Sequence, residues 1–409
     1  MKYLYLWLLL ALPVLGRAQT AAVLDTARGR YYQPVFNTVS VTRDVAYGAA
    51  ATYAGVTQTL LMDVYQPSGD TVQRRPLIVF AHGGGFLFGT KADLYPVAFC
   101  NRLARLGYVV ASIEYRLNYA FTGLAAPADT AKIAAAALRG GLDMKAAIRY
   151  FRQDATGART YRVHPGYIIA AGSSAGAFAA LEAGYLDKAS EVPSYIDLAA
   201  LGGIEGNSGN PGYSSAVAAV INLSGAAESP TIIEAGDAPL CSAHGTADPT
   251  VPYFQGRIGL LLPPKYVYGS GRLNPRASAL GITNVLRRFS KAVHVPFESS
   301  QAYADTTFWT IRDFLRPLLK RSGVTLAARP AVAPATFQAY PNPATAAVQL
   351  ALPADFARLG EAELLDVTGR VVRRFQPTAQ QTELPRGGLP AGIYAVRFAR
   401  LAPVRVVFE

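Results

Sequence analysis

Between residues 59 and 321 the chain alternates unbroken apolar runs of strand length with stretches patterned as amphipathic helix. This alternation restricts the fold more than any other feature of the sequence. The runs TLLMDVYQP (59–67), PLIVFAHGG (76–84), YVVASIEYRL (108–117), GYIIAAGSSAG (166–176), AVAAVINLSGA (216–226) and APLCSAHGTAD (238–248) read as strands. DLYPVAFCNRLARLG (93–107), LDMKAAIRYFRQDA (142–155) and QAYADTTFWTIRDFLRPLLKR (301–321) read as helices, the first closed by a glycine. A strand with one wet face alternates apolar and polar residues, whereas a strand covered on both faces stays apolar throughout. The pattern therefore predicts an α/β fold, a mostly parallel central sheet flanked by helices.

The flanking segments differ in character. Residues 19 to about 55 are poorly patterned, and 190–215, rich in Gly, Asn, Ser and Pro, reads as a long irregular loop. Small residues and proline over 322–334 read as a linker, and 335–409 carries short alternating runs separated by turn residues, the pattern of a small β-sandwich. A catalytic unit is thus expected over 35–321. At the N-terminus, Lys2 precedes the apolar run Tyr3–Leu15 and the small-residue site Gly16-Arg17-Ala18. That run is shorter than the ~20 residues of a membrane span, so 1–18 is expected to be a removable signal peptide.

Composition excludes several classes. The net charge of +12 comes from 39 Lys and Arg against 27 Asp and Glu, but the basic residues are scattered in pairs such as Arg287-Arg288 and Arg373-Arg374. No basic patch of the kind nucleic-acid binding needs is present, and a solvated basic surface is the better reading. Cys100 and Cys241 are the two cysteines, each in an apolar pattern, which predicts free buried thiols rather than a disulfide framework or a metal site.

The chemistry is carried by two glycine-rich turns. Gly172-Ser173-Ser174-Ala175-Gly176 is a G-x-S-x-G at a strand-to-helix junction, where small neighbours allow a sharp turn that lifts Ser174 out of the sheet. Open parallel sheets bind ligands at this carboxyl end of their strands. His82-Gly83-Gly84-Gly85 follows another apolar strand. Attack on an ester creates a tetrahedral oxyanion that backbone N–H groups must approach closely, which side chains would obstruct. Gly84 and Gly85 are expected to supply such donors, with Ala175 a third. A methyl group at Gly84 is expected to crowd the space kept for the substrate oxygen.

Serine needs a base, and the chain has four histidines. His82 belongs to the glycine loop and is expected to shape it. His164 reads as a loop residue, and His244, four residues before Asp248, as a stabiliser of that turn. His294 follows Asp248 and precedes the last helix. Where this elbow occurs, the partners follow in the order serine, acid, histidine, which selects Ser174, Asp248 and His294. Asp237, the rival acid, precedes the same strand and so belongs to the opposite end of the sheet.

HGGGF, GSSAG, HGTADPTVPY and LLMDVYQP together resemble the α/β-hydrolase fold carboxylesterases and lipases that carry an HGGG loop, over about 35–320. Two positions depart from that pattern: Ser173 stands where many relatives have an acid, and AVHVPF lacks a glycine before His294. In the tail, YPNPATAAVQLAL, LLDVTGRVVRRF and GLPAGIYAVRF resemble the sorting domain of type IX secretion in Bacteroidetes. The resemblances imply a serine carboxylesterase acting through an acyl-enzyme, without cofactor or metal, exported to the cell surface or medium by the secretion machinery. Acetyl or feruloyl esters of polysaccharides and short-chain esters are the expected substrates. A serine peptidase and a non-catalytic carbohydrate-binding or adhesion protein on the same scaffold are the alternatives.

Overall fold

The computed structural model describes residues 24–117, 129–259, 262–319, 337–353, 356, 359–367, 370–398, 401 and 404–409. The expected signal peptide (1–18) and linker (322–334) lie outside the described residues. The chain divides into two compact units, Met1–Ala327 and Ala328–Glu409.

The first unit runs β1 (Val39–Ala51), β2 (Thr57–Pro67), β3 (Arg75–Ala81), α1 (Leu94–Ala104), β4 (Val109–Ile113), α2 (Thr130–Thr156), β5 (Val163–Ser173), α3 (Ala175–Tyr185), β6 (Ala219–Leu223), β7 (Ala226–Ala227) and β8 (Leu240–Gly245). β9 (Gln255–Arg257), β10 (Tyr266–Gly269), α4 (Ser270–Ala279), β11 (Asn284–Phe289), α5 (Pro296–Ser299) and α6 (Gln301–Leu319) complete it. Eight strands form one sheet in the order β1-β2-β4-β3-β5-β6-β8-β11. β2 pairs antiparallel with β1 and β4, and the strands from β4 to β11 pair in parallel. This is the mostly parallel sheet expected from the apolar runs.

Alternation along β3 shows why those runs are continuous. Leu77, Val79 and Ala81 point into a core shared with Leu142 and Ala146 of α2 and Phe178 and Leu181 of α3. Ile78 and Phe80 point the other way, into a core with Phe99 and Leu103 of α1 and Ile311 and Phe314 of α6. Each of these fully covered large side chains contributes about 1.5–3 kcal/mol of hydrophobic stabilisation. Cys100 and Cys241 are free and sit in the second core, where burial pushes the Cys241 thiol up to about 12.

Parts of this unit depart from the sequence reading, among them two edge strands and one histidine. β1 lies in the segment that lacked pattern, because it is an edge strand, largely exposed, with two register shifts that break its period. β11 closes the other edge with the polar NVLRRF and was equally hard to see. His164 is not a loop residue: it lies in β5, buried, its Nδ1 accepting from the Gly166 N–H at 3.0 Å.

The second unit contains β12 (Gln338–Tyr340), β13 (Ala347–Ala351), β14 (Ala362–Leu365), β15 (Val371–Phe375), β16 (Gln381–Pro385), β17 (Gly392–Arg397) and β18 (Val404–Phe408). They form two antiparallel sheets, β12-β13-β16 and β15-β14-β17-β18, around Val348, Leu350, Leu364, Leu384, Val396 and Val406. Strict in-out alternation on β16 is the signature of a sheet with one covered face.

Candidate active site

The carboxyl ends of β3, β5 and β8 converge with the segment before α5. β5 ends at Ser173, and Ser174 turns at φ 50°, ψ −119° to become the N-cap of α3. A positive φ in a non-glycine residue is sparsely populated and persists only where the surroundings impose it. The two flanking glycines permit the turn: a Cβ on Gly172 would stand 2.0 Å from the Gly176 carbonyl oxygen, and one on Gly176 2.1 Å from that of Ala81.

Ser174 Oγ lies 2.8 Å from His294 Nε2, and His294 Nδ1 lies 2.7 Å from Asp248 Oδ2. The other carboxylate oxygen of Asp248 accepts the N–H groups of Thr250 and Val251, both at 2.8 Å. Burial alone would raise the Asp248 carboxyl, but hydrogen bonds from His244 and His294 outweigh it and hold the group below the usual carboxylate range. An ionised acid so placed orients the imidazole and stabilises it once protonated, while the imidazole can take a proton from Ser174. Asp237, by contrast, precedes β8 and accepts the N–H of Glu234 at 2.7 Å, at the sheet's far end.

The glycine loop stands over Ser174. A Cβ on Gly83 would lie 3.3 Å from that of Ser174. Gly84 and Gly85 have φ +116° and +63°, and Phe86 a φ of 63°. Among the described residues, no backbone carbonyl accepts from the N–H groups of Gly84, Gly85 or Ala175. His82 braces the loop: its Nδ1 is 2.6 Å from the Gly83 oxygen, its ring stacks on Tyr115 at 4.6 Å, and the Tyr115 hydroxyl donates to the His82 carbonyl. The Gly84 cradle differs from expectation in one respect. A Cβ there would meet the Phe88 carbonyl oxygen at 1.9 Å, so the loop's own backbone, rather than substrate, excludes a side chain.

These groups open on a cleft of about 760 Å³, walled by Leu87, Phe88, Leu94, Tyr95, Leu262 and Val295. Ser173 and Glu298, neither singled out by sequence reasoning as a pair, also line it, and the Ser173 hydroxyl donates to Glu298 Oε1. Enclosure raises the Glu298 carboxyl, against the Ser173 hydrogen bond and His294, which lower it. Nothing in VHVPFESS signals that contact, because it depends on where α5 lands on β5. Among the described residues no group of three or more His, Cys, Asp or Glu side chains could hold a metal ion, and no helix is long and apolar enough to cross a membrane.

Residues 62–230 match the family model described as BD-FAE, a span that includes the glycine loop and Ser174 but ends before Asp248 and His294. Residues 338–402 match the secretion system C-terminal sorting domain. Among solved structures, the chain is similar to esterase 2 of Thermogutta terrifontis phosphorylated by paraoxon, with 23% identity, 69% of this chain and 95% of that chain covered, and a TM-score of 0.46. It is also similar to a truncated carbohydrate esterase from gut microbiota, with 18% identity, 71% and 99% covered, and a TM-score of 0.48. No curated protein matches the chain.

Proposed function

We propose that this esterase, BD-FAE in its residues 62–230 and marked for export by its C-terminal sorting domain, hydrolyses carboxylic esters through Ser174, His294 and Asp248. The observation that carries the reading is the unbroken chain of hydrogen bonds from Ser174 Oγ through His294 to Asp248, open to a cleft that the glycine loop also lines.

In acylation, His294 Nε2 takes the proton of Ser174 as Oγ attacks the ester carbonyl. The carbonyl oxygen becomes an oxyanion that accepts hydrogen bonds from Gly84, Gly85 and Ala175, and each such donor is worth about 3–4 kcal/mol in the transition state. The C–O bond to the alcohol then breaks, and the imidazolium at His294 returns its proton to the departing oxygen. Water, deprotonated by the same imidazole, attacks the acyl-enzyme, and Ser174 leaves with the proton restored. Asp248 stays ionised throughout, holding Nδ1–H.

A cleft of about 760 Å³ with an aliphatic and aromatic wall leaves room for an aromatic acyl group as well as acetate, in keeping with acetyl or feruloyl esters of polysaccharides and with short-chain esters. Replacing Ser174 by alanine tests the reading. Hydrolysis of p-nitrophenyl acetate and labelling by a fluorophosphonate probe should both disappear while the circular dichroism spectrum is unchanged. Activity retained in a folded Ser174→Ala chain would refute it.

A further inference from the structure

We propose that Glu298, acting through Ser173, is a positioning residue that locks the turn bearing His294 onto the turn bearing Ser174. The proposal rests on the serine-esterase reading above.

Ser173 is the last residue of β5 and directly precedes Ser174. It is buried at 1% exposure, and a hydroxyl in that position requires a partner. The partner is a carboxylate oxygen of Glu298, 125 residues along the chain, on the single turn of helix that follows His294. The bond therefore joins the residue next to the serine with the short helix next to the histidine.

Both turns are strained in the same sense. Ser174 has φ 50°, and Val295, directly after His294, has φ 41° and ψ 54°. The left-handed region is especially unfavourable for a β-branched residue, so neighbouring contacts must hold Val295 there. α5 is four residues long and cannot supply that rigidity alone. Besides its packing against α6, two adjacent side chains anchor it. Phe297 is buried against Tyr95, ring centroids 5.4 Å apart, and Glu298 is tied to Ser173. Phe297 fixes the depth of the helix in the core. Glu298 fixes its register along β5, and with it the 2.8 Å approach of His294 Nε2 to Ser174 Oγ.

Loss of that register should weaken proton transfer and attack, steps sensitive to displacements of about 1 Å. It should leave binding of a small ester nearly unaltered. The test is steady-state kinetics on p-nitrophenyl acetate with the full-length chain, alongside thermal midpoints. Ser173→Ala and Glu298→Ala should each reduce kcat and kcat/KM together by roughly tenfold. The double variant should be no worse than either single one, since both remove the same bond. Glu298→Gln should recover most of the loss, because its amide oxygen can accept the same hydroxyl proton. If the Ser173→Ala chain fails to fold, the contrast between Glu298→Ala and Glu298→Gln decides alone.

Wild-type kcat in Glu298→Ala, additive losses in the double variant, or a glutamine variant no better than alanine would each overturn the proposal. A rise in KM with kcat unchanged would also overturn it, making Glu298 a substrate contact. Ser174→Ala separates the two levels. If Ser174→Ala is inactive while Glu298→Ala is unaffected, only this inference fails. If Ser174→Ala retains activity, the esterase mechanism fails with it.

Discussion

His244 Nε2 lies 3.3 Å from the same Asp248 oxygen that binds His294 Nδ1 at 2.7 Å. One carboxylate oxygen thus faces two imidazoles, and their environments separate their roles. His244 is fully buried, with Nδ1 2.8 Å from Ser270 Oγ and Nε2 3.1 Å from the Val251 carbonyl. The His294 side chain is 17% exposed and faces the cleft. His294→Ala should lower kcat on the order of 10⁴-fold or more with little change in thermal midpoint. His244→Ala should lower the midpoint instead, because each buried group left unpaired costs about 1–3 kcal/mol, and should reduce kcat far less. Kinetics and thermal melts of the two variants side by side check the assignment.

The depressed Asp248 carboxyl makes stability depend on pH with a definite sign. A folded-state value below the unfolded one, ~3.9 for an ordinary aspartate, contributes stability that is present above that pH and is lost as pH falls through it toward the folded value. Asp248→Asn should show a shallower loss of unfolding free energy between about pH 6 and pH 3 than the native chain. Urea titrations at both pH values would measure it, and equal slopes would contradict the role given to this group.

Glu182 has the opposite sign. Burial pushes its carboxyl up to about 7, with Glu228 and Glu191 adding to the effect and Lys145 opposing it. The fold therefore favours the protonated acid, and stability should fall as pH rises from ~4.3, the unfolded value, to about 7. Glu182→Gln removes the titration. It should be more stable than the native chain at pH 8 and nearly equal to it at pH 4, as read from thermal midpoints.

Gly84 and Gly85 should separate loop architecture from pocket shape. Alanine at Gly84 would collide with the Phe88 carbonyl at 1.9 Å, and its φ of +116° is unsuited to a side chain. At Gly85 the nearest atom is a methyl of Leu262 at 2.9 Å, the end of a movable side chain, with φ +63°. Gly84→Ala should lose thermal midpoint and kcat together, and Gly85→Ala should lose less midpoint. An unchanged midpoint in Gly84→Ala would show that the loop opens without penalty.

Removing the second unit should leave ester hydrolysis intact in the purified protein, since Ser174, Asp248 and His294 all lie in the first unit. In the native host the chain truncated after Ala327 should accumulate in the periplasm instead of reaching the surface or medium. Cell fractionation with activity assays on each fraction would decide.

Much of the architecture was legible in the chain because it follows from local rules. Strands β3, β4, β5, β6 and β8 are covered on both faces and so had to be apolar without interruption. The edge strands β1 and β11 escaped notice for the converse reason, since a strand with a wet face or a broken register carries no continuous run. His164 looked like a loop residue because His-Pro-Gly is turn chemistry, and that turn is taken up inside β5, where the register with β3 shifts between Val163 and Ile168.

In the candidate site, small residues around Ser174 and the glycines after His82 carry their meaning in their own sequence, because a sharp turn and a close backbone approach are local demands. The order of serine, acid and histidine pointed to Ser174, Asp248 and His294, and His294 stands within hydrogen-bond distance of each of the other two. What the tertiary structure alone decided is which distant side chains meet: His244 on the same oxygen of Asp248 as His294, the Phe88 carbonyl under Gly84, and Glu298 on Ser173. Backbone conformation is set by neighbours a few residues away, and spacing records it. A contact across 125 residues depends on strand order, on the depth at which α5 enters the core and on a left-handed Val295, none of which leaves a periodic trace in the chain.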